Sequence, residues 1–249
     1  MSKEYPSIQP IACVNGLVLK VIAMVSMLID HIGAVLFPGQ MVFRDIGRLA
    51  FPIFVFLIVE GFIYTKNVRR FEIRLLVFAL ISEIPFDLAF SGIPFDFQYQ
   101  NVFFTLLLGV IMLDIITTVR ERSGDTAAYD IFIELVIVVA FVAIAFLMKT
   151  DYSGGGILLI YCFYRFRDFH IVKYVLMAAI TYLFYVNLEM FAMLAVILLL
   201  LYNGERGFRQ DGIYSGARSG VSARLLQYLF YIFYPAHLLI IYFIFLAIR

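Results

Sequence analysis

The chain has no tryptophan, only two cysteines and few charged residues, and these scarcities exclude several classes of protein. Charged residues make up 15% of the sequence and hydrophobic residues 63%, and the mean hydropathy is +0.97. An ordinary soluble domain has about 25% charged and 45–50% apolar residues, so this chain is too apolar for that class. The sequence therefore predicts a multi-pass membrane protein without a separate soluble domain.

The two cysteines, Cys13 and Cys162, belong to no paired spacing of the kind that binds zinc or haem or forms a redox couple. We therefore predict neither a disulfide framework nor a bound metal. The formal net charge of +1 gives no overall attraction toward nucleic acid, which we do not expect as a partner. Because tryptophan is absent, the 16 tyrosines are left as interfacial anchors in the lipid bilayer.

Long apolar runs recur from residue 17 to residue 247, and a helix needs roughly 20 apolar residues to cross a bilayer. We predict an all-α helical membrane bundle of about nine transmembrane segments, with eight or ten also open, as one integral-membrane domain over residues 1–249. The predicted segments are 17–37, 45–65, 74–90, 101–119, 131–148, 154–166, 171–186, 188–202 and 225–247.

Basic residues fall mainly on one side of this predicted arrangement. That side collects Lys3, Lys20, Lys66, Arg69, Arg70, Arg74, Arg120, Arg122, Arg165, Arg167, Lys173, Arg206, Arg209, Arg218 and Arg224. Because short cytoplasmic loops are enriched in lysine and arginine, we predict a cell-membrane protein whose amino terminus is cytoplasmic. The polar, glycine-rich stretch 203–224 is predicted to be a cytoplasmic connector.

The first two predicted segments carry an unusual number of polar side chains. These are Asp30, His31, Arg44, Asp45, Arg48 and Glu60. A charge in the hydrocarbon core is unfavourable by a few to about 10 kcal/mol, so such residues usually face a protein interior or a wet cavity. Counting about 1.5 Å per residue from Lys20 places His31 about 16 Å into a core about 30 Å thick. We interpret this region as a buried reactive or ligand-binding site.

Further polar residues lie within or at the ends of other segments. Glu83, Asp87 and His237 are roughly 14, 20 and 18 Å from the predicted cytoplasmic ends of their helices. Near the opposite ends lie Arg48, Asn101, Asp151 and Tyr152. These positions belong to several helices, and they could converge on one cavity in the middle and outer half of the membrane.

A structural interpretation competes with the functional one at each of these positions. An intramembrane histidine can simply bridge two helices, and for His237 this alternative is as strong as a functional role. Glu83 and Asp87 lie four residues apart on one helix face, so they need a nearby cation or a proton. Arg44 and Arg48, also one turn apart, could hold an anionic substrate, neutralise those carboxylates, or do both.

Seven strings carry a resemblance to a known family, and the resemblance runs from about residue 17 to residue 245. They are LKVIAMVSMLIDHIGAVLFP, FRDIGRLAFPIFVFLIVEGF, ISEIPFDLAF, QNVFFTLLLG, DYSGGG, LYNGERG and FYIFYPAHLLIIY. They resemble the TraX family, whose founding activity is amino-terminal acetylation of a conjugative pilin subunit. The family in turn resembles transmembrane acyltransferases that include the lysosomal heparan glucosaminide acetyltransferase.

In that wider group the acyl-CoA donor enters from the cytosol, and an intramembrane histidine serves the transfer to an acceptor from the other side. The resemblance therefore implies a membrane-embedded acetyltransferase that uses acetyl-CoA, with His31 and the adjacent Asp30 as the predicted catalytic residues. Because neighbouring helix positions point to different sides, Glu83 or Asp87 is the better candidate to orient the imidazole. The acceptor is an amine or hydroxyl, such as a pilin-like amino terminus, an envelope glycan or a small molecule.

We assign substrate binding to Arg44, Arg48, Glu83, Asp87, Asn101, Asp151, Tyr152 and His237. Two other functions stay open. A proton-coupled transporter could use the same histidine and carboxylates as a relay, since transporters also contain intramembrane ionisable residues. A non-catalytic scaffold for envelope or pilus assembly is the weaker alternative, because a scaffold has no need of polar groups at mid-depth. A homo-oligomer is also open.

Overall fold

The computed structural model describes residues 13–122, 127–185, 191–205 and 219–248. Within those ranges the chain is helical and has no β-strand beyond two isolated bridges. The α-helices are α1 (Gly16–Leu36), α2 (Met41–Gly47), α3 (Ala50–Tyr64), α4 (Val68–Phe90), α5 (Val102–Arg122), α6 (Ala127–Leu147), α7 (Ser153–Arg165), α8 (His170–Tyr185), α9 (Leu194–Leu200) and α10 (Ser219–Ile248). A 3-10 turn, Phe191–Met193, leads into α9.

The predicted all-α membrane fold is confirmed. Five stretches of the described residues are long and apolar enough to cross a membrane: Gly16–Leu36, Met41–Tyr64, Val102–Arg122, Asp130–Leu147 and Tyr228–Ile248. The prediction of about nine crossings, and that of a cytoplasmic amino terminus, stay predictions. The second predicted segment, 45–65, is divided into α2 and α3, with Arg48 and Leu49 between the two helices.

Two compact units are defined by the contacts within the chain. Unit 1 comprises Met1–Phe54 and Leu188–Tyr234, and unit 2 comprises Val55–Asn187 and Pro235–Arg249. The unit boundaries at Phe54 and Tyr234 fall within the residue ranges of α3 and α10.

In unit 1, glycines allow α1 and α2 to pack closely. A side chain at Gly33 would overlap Phe43, and a side chain at Gly47 would overlap Asp30. The start of α1 is capped by Asn15, whose Oδ1 accepts a hydrogen bond from the backbone nitrogen of the third helical residue at 3.0 Å. The close approach at the two glycines fixes how α1 packs against α2.

In unit 2, α5 is the central helix and contacts α4, α6 and α7. Val110, Met112 and Leu113 in its middle are fully buried. Gly109 faces Ile160 of α7 so closely that a β-carbon there would overlap the isoleucine side chain. The core of this unit is therefore built around α5, and polar groups are found at its two ends.

The helix α4 begins earlier than its predicted segment, which started at residue 74. Asn67 caps it, since Asn67 Oδ1 accepts a hydrogen bond from Arg70 N at 2.8 Å, so most of the basic stretch 66–74 is helical. Its exposed apolar side chains recur at helical spacing: Ile73, Leu76, Val77, Leu80, Ile81 and Ile84. Ser82 and Asp87 are buried on the inner side, as expected of a helix whose outer face meets lipid.

The last helix, α10, also begins earlier than predicted. It starts at Ser219, so the end of the predicted connector 203–224 is helical. The part of that connector between residues 206 and 218 lies outside the described residues.

Candidate active site

His31 lies on α1, five residues before the helix ends. It is buried, with 8% of the residue exposed. Its imidazole meets the ring of Tyr234 edge-on, with the ring centroids 5.9 Å apart and the planes at 75°. Since Tyr234 is itself only 3% exposed, the imidazole is packed inside unit 1.

Asp30, the preceding residue, has a partner on α2. Arg44 Nη1 donates a hydrogen bond to Asp30 Oδ2 at 2.7 Å, and the two side chains are 28% and 14% exposed for arginine and aspartate. Gly47 leaves the space that the aspartate side chain occupies. Asp30 is therefore held against α2, while His31 lies against the ring of Tyr234 on α10. Adjacent positions on a helix point in different directions, so the two side chains have different neighbours.

The second arginine of the predicted pair, Arg48, lies directly after α2. Its backbone nitrogen donates to the carbonyl oxygen of Arg44 at 3.2 Å, which keeps the two arginines one helical turn apart. Arg48 is half-buried. Because Asp30 already pairs with Arg44, any anionic substrate held by these arginines would share the first of them with the aspartate.

Glu83 and Asn101 come together at the amino end of α5. Asn101 is fully buried; its Nδ2 donates to Glu83 Oε2 and to the carbonyl oxygen of Ala79, the latter at 2.9 Å. The backbone nitrogen of Asn101 donates to the same glutamate oxygen at 3.3 Å. Within the described part of the chain, Glu83 Oε1 is a buried oxygen with no hydrogen-bond partner. The carboxylate can therefore still accept a bond from a ligand or carry a proton.

Asp87 lies one turn further along α4 and is 3% exposed. Its Oδ2 accepts a hydrogen bond from the backbone nitrogen of Asp96 at 2.8 Å. Its carbonyl oxygen accepts another from Ser91 Oγ, also at 2.8 Å. Asp87 therefore fastens the loop that follows α4 onto the helix, which is a structural use of the carboxylate.

Asp151 and Tyr152 form the turn between α6 and α7. The hydroxyl of Tyr99 donates to Asp151 Oδ1 at 2.5 Å, and Tyr152 N donates to the same oxygen at 3.0 Å. Thr105 Oγ1 donates to the carbonyl oxygen of Asp151, and Asp151 N donates to the carbonyl oxygen of Gln100 at 2.8 Å. Tyr152 has a left-handed backbone with φ of 59°. The turn is thereby pinned to the start of α5.

His237 lies on α10, two residues after Pro235, and is 4% exposed. It belongs to unit 2, whereas His31 belongs to unit 1. The orientation of the His31 ring by Glu83 or Asp87 stays a prediction. Glu83 contacts Asn101, and Asp87 contacts Asp96, both within unit 2. Among the described residues, no group of three or more histidine, cysteine, aspartate or glutamate side chains is placed to hold a metal ion.

A buried carboxylate near the other end of α5 was missed from the sequence. Glu134 on α6 is 2% exposed. Arg120 Nη2 lies 2.5 Å from its Oε1, and Arg165 Nε lies 3.7 Å from its Oε2. The hydroxyl of Tyr161 donates to Oε2 at 3.2 Å. The available signal was a lone glutamate inside the apolar run 131–148, a few residues from the side predicted to be basic.

Comparison with known proteins gives a family and two relatives. Residues 15–245 match the family described as TraX protein. A probable fimbrial assembly protein of Dichelobacter nodosus, FimC of serogroup H1, is 28% identical over 252 residues, which is 88% of this chain and 91% of that protein. An uncharacterized protein of Rickettsia prowazekii (strain Madrid E), RP591, is 33% identical over 91 residues, or 36% of this chain and 33% of that protein. No solved structure gives a significant match.

Proposed function

Because this chain belongs to the TraX protein family, we propose that it is a membrane-embedded acetyltransferase that takes its acetyl group from acetyl-CoA. The observation that carries the proposal is His31, an imidazole that is buried on a membrane-length helix rather than turned toward lipid. An ionisable side chain within a membrane span is energetically costly and usually marks a functional site.

An imidazole suits acyl transfer because it can accept and release a proton near neutral pH. In the proposed step, the nitrogen or oxygen of the acceptor attacks the thioester carbonyl carbon while His31 takes the acceptor's proton. The carbon–sulfur bond then breaks, and the imidazolium returns the proton to the departing CoA thiolate. In the alternative route, an imidazole nitrogen of His31 attacks the thioester carbon and displaces the CoA thiolate; the acceptor then attacks the acetyl-histidine and displaces the imidazole, and its proton passes to the thiolate.

The surroundings of His31 support this role. Tyr234 fixes the imidazole ring from the side by an edge-on contact. The preceding residue, Asp30, points to a different side of α1 and forms a part-buried ion pair with Arg44 of α2.

The acceptor proposed is a component of a surface fibre or of the cell envelope that presents an amine or a hydroxyl. Support comes from the Dichelobacter nodosus relative, which is named as a probable fimbrial assembly protein and whose match covers 88% of this chain. The founding activity of the family, acetylation of a pilin amino terminus, favours an amine.

The proposal is tested by incubating purified protein in detergent with acetyl-CoA labelled in its acetyl group, together with extracted envelope material. We expect label in an envelope component, detected by mass spectrometry, and release of free CoA. His31→Ala should abolish both while the protein stays in the membrane fraction. His170→Ala is the matched control, since His170 is exposed and its loss should leave the rate unchanged.

Transfer by His31→Ala at the original rate would refute the catalytic assignment. A wild-type protein that consumes no thioester with any envelope fraction, but moves a solute into proteoliposomes, would instead favour the transporter alternative. If His170→Ala lost acetyl transfer and His31→Ala did not, the histidine required for transfer would lie outside α1.

A further inference from the structure

Three helices of unit 2 meet in a charged cluster that the proposed transfer step does not use. We call it the guanidinium cluster and define it as Arg120 on α5, Glu134 on α6, and Tyr161 and Arg165 on α7. The glutamate side chain is 3% exposed and lies between the two arginines. It is the buried centre to which the other three side chains are attached.

The cluster has more positive than negative charge. One carboxylate faces two guanidinium groups, so one positive charge is left over. The neighbouring Arg167 adds none, because its Nε pairs with Asp168 Oδ2 at 3.3 Å. If these charges served only to hold the helices together, one arginine for the one glutamate would be enough. An additional unpaired charge near an apolar interior is unfavourable.

The arginines also keep hydrogen-bond donors for another group. A guanidinium has five N–H donors. Within the described part of the chain, Glu134 is the only acidic group that Arg120 and Arg165 contact; Arg165 also lies over the ring of Phe166, 5.8 Å from its centroid. Their side chains are 35% and 36% exposed, so a ligand can reach the donors that the glutamate leaves unused.

Two guanidinium groups that are held by one buried acid are suited to binding a phosphate group. The planar fork of arginine matches the spacing of phosphate oxygens, and the fixed position reduces the entropy lost on binding. We infer that Arg120 and Arg165 bind a phosphate group, held in place by Glu134. The ligand is either a phosphate of the acyl-CoA donor, in which case the inference rests on the proposed function, or the headgroup of an anionic phospholipid.

Both sources agree with the position of the cluster. Arg120 and Arg165 lie at the carboxyl ends of α5 and α7, on the side that the distribution of basic residues predicts to be cytoplasmic. A nucleotide with several phosphates would arrive at this surface from the cytosol. An anionic lipid would reach the same surface from the inner leaflet.

The first experiment measures binding of free CoA to the full-length protein in nanodiscs of neutral phosphatidylcholine by titration calorimetry. Arg120→Gln and Arg165→Gln should each weaken binding about tenfold, as expected for the loss of a charge-assisted hydrogen bond. Arg122→Gln is the matched control, because it removes the same charge from an exposed side chain two residues beyond Arg120. It should bind CoA as the wild type does.

The second arm uses nanodiscs that contain phosphatidylglycerol, and native mass spectrometry counts the lipids that stay bound. Loss of CoA binding alone assigns the site to the donor, and loss of retained phosphatidylglycerol alone assigns it to a lipid headgroup. Loss of both supports one site for either phosphate. If both glutamine variants bind both probes as tightly as Arg122→Gln does, the inference is wrong.

A third measurement needs no variant, so it holds even if the glutamine variants do not fold. Phenylglyoxal labels accessible arginines of the wild-type protein, and peptide mass spectrometry reads the sites. CoA or phosphatidylglycerol should protect Arg120 and Arg165 but not Arg122. Equal labelling with and without both probes would overturn the inference. Because free CoA carries no acetyl group, none of these outcomes depends on whether acetyl transfer occurs.

Discussion

The two ends of α5 contact a carboxylate of a neighbouring helix in opposite ways. At the amino end, Glu83 is held by the uncharged amide and backbone of Asn101. At the carboxyl end, Glu134 is held by the charged groups of Arg120 and Arg165. At one end, α5 thus meets an acid of α4 that is held by neutral donors; at the other, it meets an acid of α6 that has a surplus of cations.

This difference indicates which kind of ligand each end attracts. Neutral donors leave the negative charge of a carboxylate uncancelled, so the amino end favours a cation. Two guanidiniums overcompensate one carboxylate, so the carboxyl end favours an anion. An acyl transfer from a phosphorylated donor on one side to an amine on the other would use both preferences.

The largest loss of stability is expected from Asn101→Leu, at the amino end of α5. The variant removes two side-chain donors and one acceptor from a fully buried site and leaves Glu83 with a single backbone partner. We expect the free energy of unfolding to fall by about 3 kcal/mol, from several lost hydrogen bonds and an unsatisfied buried acid. Denaturation in mixed detergent micelles measures it. Asn67→Leu, which removes only the cap of α4, should lose about 1 kcal/mol, and an equal loss in both variants would contradict the account.

A smaller effect is expected from Glu134→Gln at the other end. The two arginines that lose their acid are about one-third exposed, so water can solvate them, and the expected loss is about 1–2 kcal/mol. The same denaturation measurement applies, with Glu121→Gln as the control on an exposed acid of α5. A loss as large as that of Asn101→Leu would show that the two ends do not differ in the way described.

The smallest effect is expected from Tyr99→Phe. The hydroxyl of Tyr99 donates to Asp151 Oδ1, but Tyr99 is 48% exposed and water can replace the bond. We expect a change of no more than about 0.5 kcal/mol in the free energy of unfolding. A loss above that of Glu134→Gln would mean that the turn before α7, and not the buried amide, organises the amino end of α5.

The sequence predicted the fold well because hydropathy and length decide it. The boundaries were less accurate where a local contact overrides hydropathy. Asn67 caps α4, which begins at Val68, six residues before the predicted segment, because a cap can start a helix in a basic stretch. The break between α2 and α3 was not predicted, because Arg48 and Leu49 are not helix-breaking residues and a single glycine, Gly47, precedes them.

The sequence predicted which polar residues belong to the site better than it predicted which of them contact each other. Depth along a helix follows from counting residues, so Glu83 and Asn101 could both be named from the sequence. Which of them meet depends on how each helix is rotated about its axis, and that is set by packing of the kind seen at Gly47 against Asp30. Glu134 was missed because its partners lie on two other helices.

The most direct test of the central claim uses proteoliposomes in which the protein has a known orientation and labelled acetyl-CoA is supplied to one face at a time. We predict that the wild type consumes the thioester only from the face that carries Arg120 and Arg165, and that His31→Ala consumes none from either face. Consumption by His31→Ala at the wild-type rate, or consumption only from the opposite face, would contradict the account.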